Sequence, residues 1–158
     1  MVKQATSKRS GFSLLELVIV VTIIGIIAAI AIPRMSRGSA GAADSALTGN
    51  LAVLRHAIDL YSAEHTGAFP TAANFGTQMT QYTDASGGTA AAKDATHIYG
   101  PYLRQLPALP VGAKKGNSGV AAADGATVGW IYDATAGAIT ANTTASEQDA
   151  SGKAYSAY

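Results

Sequence analysis

The chain has 158 residues, room for roughly one domain, with 48% hydrophobic residues and a formal net charge of +1. Its lysines and arginines cluster only near the N-terminus and at Lys114-Lys115, which speaks against a nucleic-acid surface. Cysteine is absent, so disulfides, thiolate metal sites and cysteine nucleophiles are excluded. The compartment stays open, because an oxidising one permits disulfides without requiring them.

Residues 1–11 are polar and carry Lys3, Lys8 and Arg9 without an acid. From Phe12 to Ile32 the only charged residue is Glu16. As a helix that stretch is about 32 Å long, enough to cross the hydrocarbon core of a bilayer. Basic residues ahead of the span predict a cytoplasmic N-terminus and a translocated remainder; Arg34 and Arg37 beyond it oppose that signal but are outnumbered. A secretory signal peptide is the first competing reading, with Ala29-Ile30-Ala31 as its small-x-small cleavage site. The apolar run, however, exceeds the usual core of about 7–15 residues and contains a glutamate. A plain transmembrane anchor accounts for the length and leaves Glu16 unexplained, since an acid inside a span is costly without a partner.

The segment Lys8-Arg9-Ser10-Gly11-Phe12-Ser13-Leu14-Leu15-Glu16 resembles the processing site of type IV pilins and of the pseudopilins of type II secretion systems. The resemblance implies that a membrane-embedded prepilin peptidase cuts between Gly11 and Phe12 and methylates the new amine, making Glu16 the fifth residue of the mature chain. Pro33 fits the same pattern as a break after the first apolar helical segment. The resemblance further implies a subunit that polymerises with copies of itself, extracted from the inner membrane by an assembly ATPase and a platform protein. Glu16 then has a physical role. Packed apolar helices form a dry core in which the Phe12 amine is a stranded cation, and a carboxylate from a neighbouring helix neutralises it; either charge left alone costs several kcal/mol.

Beyond the span, residues 34–66 form the second half of a long helix. Its start is weakened by Pro33, Gly38 and Gly41, which lower helix propensity and allow either a kink or a stretchable segment. Leu47, Leu51, Leu54, Ile58 and Tyr61 then recur at helical spacing as one apolar stripe, expected to hold a head of the same chain, and Gly67 closes the helix. Gly67-Ala68-Phe69-Pro70-Thr71 resembles the turn that follows the long helix in pseudopilins, and Thr71 is expected to cap a short helix reaching about Tyr82. Residues 83–96 read as loop and 116–119 as a turn. Val128, Trp130 and Tyr132 share one face of a strand, Asp133 to Gly137 turn, and Ala138 to Asn142 return as its partner. The polar composition of residues 143–158 suits a disordered tail. The architecture expected is thus α+β: a leader at 1–11, a membrane and assembly helix at 12–33, its continuation at 34–66, and a head at 67–158 with a short antiparallel sheet.

The head shows no catalytic pattern. His56, His65 and His97 lack metal-ligand spacing, no serine lies in a nucleophile elbow, and no phosphate loop occurs. No cofactor is expected. Major pseudopilins bind calcium in a C-terminal loop, and the oxygen donors that could serve here are Asp124 and Asp133, with Glu147 and Asp149, although their spacing matches no calcium motif. The reading reached is a non-enzymatic pseudopilin-like filament subunit, single-pass in the bacterial inner membrane with a periplasmic or extracellular head. A type IV pilin serving adhesion, motility or DNA uptake is the alternative of the same kind. A membrane-anchored periplasmic enzyme or binding protein is the alternative of another class, and it demands a convergent polar cluster in the head.

Overall fold

The computed structural model describes residues 13–158, so the leader, Gly11 and Phe12 lie outside the described residues. The chain divides into two units, Met1–Ser39 and Ala40–Tyr158. Helix α1, Leu14–Glu64, begins in the first and ends in the second.

In the first unit the Leu, Ile and Val run is helical and exposed on all sides, with a mean hydropathy of 2.9 over Leu14–Ile32. A helix apolar all round has no stable place in water; it belongs in a dry core or a bilayer. The one hydroxyl in the middle of the span is internally bonded, Thr22 Oγ1 donating to the Val18 carbonyl at 2.7 Å. The break expected at Pro33 is absent, since α1 is helical through Pro33, Gly38 and Gly41. Proline removes only its own donated bond, to the Ala29 carbonyl, and membrane-type helices tolerate that loss.

The second unit is built on the other half of α1. Leu47, Leu51, Leu54, Ile58 and Tyr61 are each at most 3% exposed, so the apolar stripe does pack against a head. The helix closes at Thr66 (φ +56°) and Gly67 (φ +90°), where the Gly67 amide donates to the Ser62 carbonyl at 2.8 Å. Thr66 therefore holds the left-handed position usually given to glycine, and Gly67 is the residue after it. Immediately before this turn, the buried His65 ring stacks on Tyr61, and its two ring nitrogens each lie 2.8 Å from a carbonyl oxygen, of Tyr61 and of Asp84.

After the turn, α2 spans only Phe75–Thr80, with Asn74 at its N-cap position and no side-chain cap. Thr71 is not the cap expected: its hydroxyl accepts from the Asn74 amide at 3.3 Å in the turn before the helix. The stretch read as loop after it contains a small antiparallel pair, β1 Tyr82–Thr83 with β2 Thr89–Ala90. The main sheet has the order β3 (Gly119–Ala121), β4 (Val128–Asp133), β5 (Ala138–Ala141). The expected β4–β5 hairpin is present, with Trp130 opposite Ala141 and Tyr132 opposite Ile139. The parallel neighbour β3, which starts at the last residue of the turn expected at 116–119, makes the sheet mixed. It can lie there because position 129 is glycine: a Cβ would collide with the Asn117 carbonyl.

Trp130 and Tyr132 are fully buried on the inner face of β4, with Val128 partly covered. Their polar ends are satisfied, Trp130 Nε1 donating to the Pro107 carbonyl at 2.8 Å and the Tyr132 hydroxyl to the Pro70 carbonyl at 3.0 Å. Phe75 closes the core against Tyr132, ring centroids 4.6 Å apart. Residues 143–158 are not the disordered tail their composition suggested. They form a bridge between Gln148 and Ala154 and a 3-10 turn at Tyr155–Ala157. Arg55 of α1 donates to the carbonyls of Ile139 (3.2 Å) and Tyr158 (2.6 Å), tying this segment down. Polar composition fails as a guide here because two tyrosines, Tyr155 and Tyr158, pack against the core and hydrogen bonds hold the rest.

Candidate functional site

The residues singled out in the sequence fall into a helix start and a head. At the start of α1, Glu16 does not stand alone. Its Oε2 accepts a hydrogen bond from the Ser13 amide at 2.9 Å, and Ser13 Oγ accepts one from the Leu15 amide at 3.3 Å. The first helical bond, from the Leu17 amide to the Ser13 carbonyl at 3.2 Å, marks Ser13 as the N-cap. This is a variant of the capping box, in which Glu16 reaches back to the Ser13 amide and Ser13 takes the amide two residues on, so that each satisfies a donor the helix leaves without a partner. Ser13 is the residue that sequence reading missed, and its signal was present: serine, two apolar residues, then glutamate ahead of an apolar run.

The three histidines of the second unit differ in exposure. His56 is exposed on α1, His65 is buried beneath Tyr61, and His97 is half-buried with Nδ1 2.8 Å from Asp94 and Nε2 3.9 Å from Asp84. The calcium candidates separate. Asp124 sits beside the start of β4, paired with the Lys114 ammonium and accepting from Asn142 Nδ2 at 2.8 Å. Asp133 ends the same strand and accepts from the Thr135 amide at 2.8 Å. Asp124 shares Asn142 Nδ2 with the Val128 carbonyl at one end of β4, and Asp133 is at the other, about 16 Å of strand away, while calcium draws its oxygens to about 2.3–2.6 Å. Glu147 accepts from the amides of Ala113 and Thr144, and Asp149 from Ser151, the Lys153 amide and the Tyr158 hydroxyl. The donor set does not fit one cation, and among the described residues no group of three or more such side chains could hold a metal ion.

What those acids do instead is fold the loops. Asp-Ala-Ser/Thr occurs at 84–86, 94–96, 133–135 and 149–151, and each time the carboxylate accepts from the amide two residues on. The hydrogen bonds hold several of these groups below the usual carboxylate range: Asp84 through the Ser86 hydroxyl and Gly88 amide, Asp94 through the His97 and Thr96 amides, Asp149 through the Tyr158 and Ser151 hydroxyls, Glu147 through the Thr144 amide. A carboxyl depressed in the folded state contributes stability above its unfolded pKa and loses it as pH falls. The melting temperature of the head is therefore expected to be level near neutrality and to drop progressively below about pH 4. A melting temperature that stays level down to pH 2 would show that these loops contribute nothing.

Residues 6–32 match the family model of the prokaryotic N-terminal methylation motif. This is the signature of type IV pilin and pseudopilin precursors. The motif takes in Gly11, Phe12, Ser13 and Glu16 and ends at Ile32, the last residue of the apolar span. It points to a structural protein of the pilin type, with an N-terminal apolar helix consistent with a membrane anchor, and it implies processing by prepilin peptidase and pilus assembly. No curated protein and no solved structure matches the chain.

Proposed function

We propose that this protein is a pseudopilin-like subunit of a type II secretion filament, cut between Gly11 and Phe12, methylated on Phe12, and polymerised through α1. The observation that carries the reading is Glu16: a single carboxylate in the first turn of an apolar helix, inside a methylation motif. In a dry bundle of such helices it neutralises the Phe12 amine of a neighbour, which fixes the axial register between subunits. The Gly67–Thr71 turn that follows α1 supports the pseudopilin form, and its Pro70 carbonyl is held by Tyr132 of β4. Before cleavage the precursor sits in the inner membrane with residues 1–11 cytoplasmic and the head periplasmic, and a platform protein and ATPase extract the cut subunit. Long surface fibres from cells overproducing the protein would instead support a pilin serving adhesion, motility or DNA uptake.

Replacing Gly11 with a bulky residue such as leucine is expected to block processing and leave an uncut membrane precursor. Intact mass and N-terminal sequencing of the wild-type mature chain provide the control. A chain beginning at Phe12 with one added methyl supports the reading; one beginning near Ile32 establishes a cleaved secretory signal and overturns it.

A further inference from the structure

We propose that Glu16 has two separable jobs, and that Ser13 is the positioning residue for the first of them. The first job is internal. With the Ser13 amide on Glu16 Oε2 and the Leu15 amide on Ser13 Oγ, two donors at the start of an apolar helix are satisfied within four residues of chain. Lipid could satisfy neither, and water reaches them only at the membrane surface. The same bond gives the carboxylate a partner in the lone subunit, at the helix end where the dipole favours negative charge. The acid in the span is thus tolerated before any neighbour is present.

The second job, neutralising a neighbour's amine, rests on the filament reading. It does not require the internal bond to break, because a carboxylate accepts several donors and Ser13 occupies one oxygen. Assembly on this view adds a partner to a carboxylate already held in place, so the side chain is preset in direction when the subunit meets the filament. The two jobs differ in what they demand. Glutamine closes a capping box as glutamate does, but carries no charge for an amine.

The test compares wild type, Glu16→Gln, Glu16→Ala and Ser13→Ala in the full chain, with amide exchange at Ser13 and Leu15 followed by nitrogen-15 NMR in detergent micelles. The Ser13 amide should exchange about five- to tenfold more slowly in wild type than in Glu16→Ala, the effect of one capping bond of ordinary strength. Glu16→Gln should keep most of that protection, while Ser13→Ala should lose it at Leu15. In cells, Glu16→Gln should be processed and fail to polymerise. Equal Ser13 exchange in wild type and Glu16→Ala overturns the capping role, whatever the filaments do. Protected Ser13 together with normal filaments from Glu16→Gln overturns the separate charge role. Failure of the filament reading itself would appear elsewhere, as a wild-type chain that is not cut at Gly11.

Discussion

Trp130→Ala is expected to destabilise the head by about 3–5 kcal/mol, the range for truncating a fully buried large aromatic. Three losses add. The side chain is 0% exposed at the centre of β4, so its removal leaves a void between the sheet and the Leu47–Tyr61 stripe of α1. Its Nε1 bond ends on the Pro107 carbonyl, which loses that donor. Ala141 across the ladder is too small to fill the space. Urea and thermal melts of a fragment starting at residue 36 measure the effect. A change lost in error would mean that this face of β4 is not the core.

Glu16→Ala is expected to yield a processed, membrane-resident protein that does not polymerise. Removing the acid makes the span more apolar, so insertion survives, and cleavage survives if the peptidase reads chiefly Gly11 and the basic leader. What is lost in the filament is the partner of a buried amine. Leaving such a charge unpaired typically costs about 3–5 kcal/mol, hundreds-fold or more in an assembly equilibrium. Filament fractionation beside a processing assay on the same cells measures both halves. Normal filaments from this variant would show that assembly does not depend on the charge.

The long helix and the β4–β5 hairpin were legible because both rest on periodicity. A four-three apolar spacing and a strand alternation survive in the sequence whatever the surroundings do. The methylation motif was legible for a different reason, being a fixed chemical string of glycine, aromatic and glutamate. What escaped was held by polar bonding. Strand β3 is three residues of Gly-Val-Ala whose position depends on the absence of a side chain at Gly129, a contact with no local signal. The last sixteen residues read as disordered because apolar content was the criterion, and Arg55 anchors them from about a hundred residues away. Pro33 was read as a break, yet one missing bond does not end a helix bonded on either side. Ser13 is legible only when Glu16 is taken as an oxygen that accepts a bond, and not as a charge alone.

The fastening of residues 143–158 has a consequence for where the head can mature. With no cysteine in the chain, this segment is closed by non-covalent contacts: hydrogen bonds to Arg55, Glu147 and Asp149, and the packing of Tyr155 and Tyr158 against the core. Folding of the head therefore needs no oxidant and no disulfide isomerase, and a reducing environment leaves it intact. Many pilins staple the same region covalently and so depend on the redox state of the compartment that receives them. Here the dependence passes from electrons to protons: the fastening is indifferent to thiols and yields first to acid.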